Sequence, residues 1–221
     1  MKYLNERQQV LNAAREISTS RMVVGTWGNV SVKIEDEPLM LITPSGMRYD
    51  TMTIEDIVLV DKLGNIVEGK WKPSVESPTH AEIYWQRPDV KAIVHVHSPY
   101  ATAFAVARLS IPVIMEETAQ VIGHEIFTAP YAICGSSELA AHAVNTLGAG
   151  KAVLLANHGL VGVGENISAA LRVCYIAEET ARVALLAQSL GQVYPLSPDE
   201  IIALQRGFST YGQQKTEIDE R

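Results

Sequence analysis

At 221 residues, 47% hydrophobic and 19% charged, the chain has the composition of a globular protein and is expected to form a single domain over 1–221. Its net charge of -7 excludes nucleic acid as a main partner, because phosphate-backbone binding needs basic stripes; a small phosphorylated ligand needs only local donors. No apolar run reaches the ~18 residues of a membrane helix and the N-terminus lacks a secretory apolar stretch, so the expectation is a cytoplasmic protein with no membrane partner.

The elements read as follows along the chain. Residues 4–20 form an amphipathic helix, and Gly25-Thr26-Trp27-Gly28-Asn29 a turn. Residues 30–34 and 39–43 are strands, with Pro44-Ser45-Gly46 as the next turn. Thr53 caps a short helical turn at 54–56, ahead of a strand at 57–61 and a tight turn into 66–68. Lys72-Pro73-Ser74 is a loop before a helix at 77–86, with Pro78 suited to its start. A strand follows at 90–96, and an alanine-rich helix at 99–108. Residues 111–115 are an apolar segment, and 116–123 carry no clear pattern. A helix at 137–147 ends at Gly148, and 151–156 is a buried strand. Gly162-Val163-Gly164-Glu165 fails the dinucleotide-binding pattern and reads as a plain turn. A long helix spans 166–191 and a last one runs from Ser197-Pro198 to about 208, before a polar tail from Tyr211. Few connections look like βαβ crossovers. The expected fold is therefore α/β of the α+β type: three layers, α/β/α, around a central, mostly antiparallel sheet.

The chemistry starts at His95-Val96-His97. Alternation along a strand puts residues i and i+2 on one face, so two imidazoles project together from its end. His158 ends another apolar run. Convergent histidines are how proteins build metal sites. The two cysteines, Cys134 and Cys174, form no CxxC, so the expected ligands are nitrogen and oxygen. Glu76 begins the helix after Ser74. It is open to three roles: a hard fourth ligand, a general base, or an acidic residue favoured by the helix dipole. His80 shares its helix face and reads as packing or a hydrogen bond within the helix. Three loops suit an anion: Gly25–Asn29, Thr43–Gly46 and the helix start at Ser74.

Together these residues resemble the class II (zinc-dependent) sugar-phosphate aldolases of the fuculose-phosphate aldolase type, within the aldolase/ribulose-phosphate 4-epimerase/adducin-head family. The likeness runs end to end: GT-x-GN-x-S, TP-[ST]-G, PS-x-E, H-x-H-S, IP, APYA, the HGL turn and a closing TYG. It implies that His95, His97 and His158 bind the metal, with Glu76 as acid/base and resting ligand. Thr26, Gly28, Asn29, Ser45, Gly46 and Ser74 match the phosphate cradle, and Tyr211 the tyrosine acting on the aldehyde half. The implied activity is reversible cleavage of a ketose 1-phosphate, L-fuculose 1-phosphate-like, to dihydroxyacetone phosphate and a small aldehyde. Zinc, or manganese or cobalt, would stabilise an enediolate as a Lewis acid. The resemblance also implies a homotetramer.

The chain departs from the family pattern at three places. Val75 stands where a second serine is common, removing a donor worth roughly 1.5–3 kcal/mol toward a charged group. Trp27 occupies a usually small position. Met115-Glu116-Glu117 follows the IP segment where the fuculose type has a tyrosine, and Glu116 or Glu117 faces either the site or solvent. The alternatives are a 4-epimerase, a decarboxylase or dehydratase on the same scaffold, and a non-catalytic adducin-like module. The segment at 116–120 lacks the epimerase His-x-Asp stretch, and the three histidines with Glu76 stand against the adducin-like reading.

Overall fold

The structure is a computed structural model and describes residues 1–208. Its strands are β1 (Asn29–Lys33), β2 (Leu39–Ile42), β3 (Val58–Asp61), β4 (Ile66–Glu68), β5 (Ala92–Val96), β6 (Thr128–Ala129), β7 (Ala152–Leu155) and β8 (Gly159–Gly164). Among the described residues they form one open sheet in the order β4-β3-β2-β1-β5-β8-β7-β6. Every neighbouring pair is antiparallel except β6–β7. The helices are α1 (Leu4–Thr19), α2 (Ser77–Gln86), α3 (Pro99–Ala107), α4 (Glu116–Val121), α5 (Ser137–Leu147), α6 (Ile167–Leu190) and α7 (Pro198–Phe208).

Strand alternation sorts the core into two halves. Ala92, Val94 and Val96 of β5 face a cluster with α1, α3 and α6, built on Val10, Ile17, Phe104, Ala170 and Ala177. Ile93 faces the opposite cluster, with Ile83 and Tyr84 of α2 and Leu139 and Ala143 of α5. The expected three layers are therefore present, and the α/β class holds. Helix starts follow local chemistry. Ser136 accepts from Leu139 N at 3.1 Å and Asn166 from Ala169 N at 2.8 Å. Thr53 and Asp56 close a capping box on the short 3-10 turn Ile54–Asp56.

Two segments differ from the sequence-based expectation. Gly162-Val163-Gly164 is no turn but the end of β8, paired with Val94, Ile93 and Ala92 of β5. The glycines are there because α6 lies close: a Cβ at Gly162 would come within 2.6 Å of Cys174 Sγ, and at Gly164 within 2.6 Å of Ala170 N. The patternless stretch after Met115 is helix α4, packed against α6 and α7. Among the described residues no helix is long and apolar enough to cross a membrane.

Candidate metal centre and anion cradle

The site forms where β5 ends beside the β7–β8 turn. Val96 pairs with Leu160, so His97 emerges opposite Gly159 and next to His158. The turn holds Asn157 in the left-handed region (φ 55), which asparagine tolerates, and Arg108 donates to its Oδ1. Gly159 leaves room for the rings: a Cβ there would overlap the Val96 carbonyl oxygen and lie 3.1 Å from His97 Cδ2. The backbone after His97 is pinned from α6, where Glu178 accepts from Tyr100 N at 3.0 Å and Ala101 N at 2.8 Å.

The three imidazoles converge. Ring centroids lie 4.8 Å apart for His95–His97, 4.8 Å for His95–His158 and 4.9 Å for His97–His158. His95 Nδ1 is 3.0 Å from Leu160 O, which turns Nε2 toward the other rings. That Nε2 is 3.0 Å from His97 Nε2 and 3.1 Å from Glu76 Oε2, while His158 Nε2 is 3.4 Å from Glu76 Oε1. A tetrahedral ion with bonds near 2.0–2.1 Å separates adjacent donors by about 3.3 Å. The donor set and its spacing thus fit a divalent metal.

Electrostatics point the same way. Burial works to raise the Glu76 carboxyl, but the charge and hydrogen bond of His95, with His158, hold it far below the usual range. Burial opposes the charged form of His95, yet Glu76 raises its pKa. His97 is lowered to about 3 and His158 to about 4, by burial first and then by the charge of His95. Two neutral imidazoles and one carboxylate therefore stand ready to ligate at neutral pH.

Beside this group lies a cavity of about 490 Å³. Thr26, Gly28, Asn29, Ser45, Gly46, Ser74, Glu76, His97 and His158 all line it, and His95 is buried beneath. The Pro44–Pro73 bridge draws the second and third loops together, with Ser45 N donating to Lys72 O at 2.9 Å. Gly28 has φ 93, and a Cβ there would approach Val23 Cγ1 at 2.5 Å and His95 O at 2.8 Å. Buried Tyr49 donates to Gly28 O at 2.5 Å and so braces the first loop. Among the described residues no Lys or Arg lines the cavity; the donors are hydroxyls, amides and the start of α2. Asn29 departs from a simple cradle role, since its Nδ2 donates to Glu76 Oε2 at 2.7 Å.

Val75 and Trp27 both face this cavity, 60% and 65% exposed, with the Trp27 ring 6.1 Å from that of His97. Glu116 and Glu117 do not reach it: they are exposed on α4, beside a different concavity with Arg172. Tyr211 lies outside the described residues. Cys134 also stands at the site, with its sulfur within 4.8 Å of donor atoms of Glu76 and His158. Burial, the charge of Glu76 and a hydrogen bond to it push this thiol up to about 11. No spacing signal marks Cys134, or Tyr49; long-range folding alone brings them in.

Comparison with known proteins agrees with this geometry. Residues 8–185 match the class II aldolase and adducin N-terminal domain family. The chain belongs to that family. It is 35% identical to a 5-deoxy-D-ribulose 1-phosphate aldolase of Bacillus thuringiensis serovar kurstaki, covering 95% of this chain and 98% of the relative. It is 37% identical to an L-fuculose phosphate aldolase of Escherichia coli K12, covering 93% and 94%. A solved L-fuculose 1-phosphate aldolase superposes with a TM-score of 0.91 at 33% identity, over 95% of this chain and 98% of the other. The protein is thus an enzyme of the class II aldolase lyase family. That family is metal-dependent, and in this member the histidine group with Glu76 could hold the ion.

Proposed function

We propose that this class II aldolase reversibly cleaves a short ketose 1-phosphate to dihydroxyacetone phosphate and a small aldehyde. The carrying observation is the convergence of His95, His97, His158 and Glu76 at one wall of a cavity whose other lining includes the hydroxyls and amides of Thr26, Asn29, Ser45 and Ser74 beside Trp27 and Val75. His95, His97 and His158 would hold zinc, with manganese or cobalt as substitutes, and Glu76 would be an added ligand at rest. When bound, the ion supplies Lewis-acid stabilisation of negative charge developing on substrate oxygen.

This chain's residues do the rest. Thr26, Gly28, Ser45, Gly46 and Ser74 hold the phosphate, aided by the N-terminus of α2. Among the described residues the cradle has no cationic side chain, and the donors they offer to a phosphate are hydrogen-bonding groups and the helix end. In cleavage the C4 hydroxyl proton passes by way of water to the Glu76 carboxylate, the C3–C4 bond breaks and the aldehyde leaves. The electron pair stays on C3, conjugated with the carbonyl. Glu76 then delivers a proton to C3, and removes it in the synthetic direction. Tyr211 is assigned to the aldehyde half. Exposed Val106, Leu109, Phe127, Tyr131 and Ile133 support subunit contacts in a homotetramer, and the location is read as cytoplasmic.

The relatives' names suggest 5-deoxyribulose 1-phosphate and L-fuculose 1-phosphate as first substrates. Metal-loaded protein should release dihydroxyacetone phosphate from at least one, detected by coupled reduction to glycerol phosphate. Glu76→Gln should keep the metal and lose about 10²–10⁴-fold in kcat. Absence of dihydroxyacetone phosphate from any ketose 1-phosphate tried would overturn the proposal.

A further inference from the structure

The strand that carries Asn29 has two unlike faces. Val30 and Val32 of β1 enter the apolar core, and the intervening Asn29, Ser31 and Lys33 all turn to helix α2. Asn29 donates to Glu76. Ser31 Oγ lies 2.7 Å from His80 Nδ1 and 2.7 Å from the Tyr84 hydroxyl. Lys33 Nζ donates to Tyr84 O at 3.3 Å and sits 5.0 Å over the Trp85 ring.

These contacts are in register. Two residues along a strand advance about 6.6 Å, and four along a helix about 6 Å. Asn29 to Ser31 therefore matches Glu76 to His80, and strand and helix are joined like rungs of a ladder. Ser31, His80 and Tyr84 are each no more than 1% exposed. Buried polar groups are costly unless paired, and His80 Nε2 has no hydrogen-bond partner among the described residues. Apolar side chains would pack this interface with no such cost. They would also let α2 slide or rotate, since hydrophobic contact is non-directional. The polar rungs admit one register.

From this arrangement we infer that Ser31, His80 and Tyr84 are positioning residues, which fix the height and rotation of α2 so that Glu76 meets the histidine group. The inference rests on the proposed role of Glu76. His80 is suited to the task because its backbone N–H donates to Glu76 O at 3.2 Å while its ring meets Ser31 of the strand. It also lies close enough to Glu76 and His95 to feel both charges. His80, expected to pack or to hydrogen-bond within its own helix, is packed, and its ring hydrogen bond crosses from helix to strand.

The test uses the full-length protein and two readouts: zinc affinity by competition with a chromophoric chelator, and steady-state cleavage of the ketose 1-phosphate. His80→Leu removes the rung; His80→Asn retains an atom near the position of Nδ1. His80→Leu should weaken zinc binding about 5- to 10-fold and lower kcat at least tenfold with KM within threefold, and His80→Asn should recover most of both. In a Glu76→Gln background, His80→Leu should change each by less than twofold. Tyr84→Phe, which deletes one hydroxyl, should show the same pattern more weakly and serves if His80→Leu does not fold. Wild-type zinc affinity in the folded His80→Leu or Tyr84→Phe protein, or losses that persist in full without Glu76, would overturn the inference. If the unaltered protein cleaves no ketose 1-phosphate, the functional proposal fails and zinc affinity alone decides the positioning role.

Discussion

Gly159→Ala tests how tightly the sheet and the histidine group are built on one another. Gly159 is outside the left-handed region, so alanine meets no backbone penalty there. The obstacle is space. Its Cβ would overlap the Val96 carbonyl oxygen and approach His97 Cδ2 at 3.1 Å and His95 Cε1 at 3.2 Å. Val96 cannot yield alone, because β5 is hydrogen-bonded to β1 on one side and β8 on the other. Overpacking costs about 1–3 kcal/mol, and a backbone obstacle between paired strands belongs at the upper end. For a chain of this length about 3 kcal/mol lowers Tm by roughly 6–12 °C. The displaced strand end carries both His95 and His97, so zinc affinity should fall at least tenfold, about 1.4 kcal/mol. Thermal melts of the metal-free protein and chelator competition measure the two effects. A Tm within about 1 °C of the parent, with unchanged zinc affinity, would refute the reasoning.

Metal-free stability should fall as pH drops below about 6.5. His80, His97 and His158 titrate in the fold at about 3, 3 and 4, against 6.5 when unfolded, so the unfolded chain takes up protons the fold refuses. Each histidine contributes a slope of about 1.4 kcal/mol per pH unit there. His95, raised, adds stability that is complete below 6.5 and lost as pH rises through its folded pKa. Glu76, lowered, adds stability present above 4.5 and lost as pH falls through its folded pKa. Equal urea midpoints at pH 7 and pH 5.5 would contradict the first of these effects. Val75→Ser returns a hydroxyl to the cavity wall and should lower KM and the inhibition constant of inorganic phosphate about tenfold, at the modest end of a hydrogen bond to a charged group. Unchanged phosphate inhibition would place Val75 away from the anion.

The His-x-His pair was legible because strand alternation alone sets its geometry, and the third histidine because it too ends an apolar run. The sheet was mostly legible for the same reason, with β8 the exception. There, glycines ordinarily signal a turn, but Gly162 and Gly164 serve the close approach of α6. Helix α4 carries no periodic signal because it is six residues long and owes its place to α6 and α7. Glu76 could be singled out, yet its partnership with Asn29 crosses 47 positions and no local pattern records it. Cys134 reaches the site in the same way. It sits on a loop after β6, and only the packed fold sets its thiol near Glu76 and His158.

The most direct measurement is metal-dependent cleavage read against metal content. Protein stripped by a chelator should release no dihydroxyacetone phosphate, and should regain turnover in proportion to added zinc up to one ion per chain. His95→Ala should bind less than a tenth of that zinc and stay inactive. Full turnover by stripped protein, or normal zinc content in His95→Ala, would contradict the assignment of this histidine group as the reaction centre.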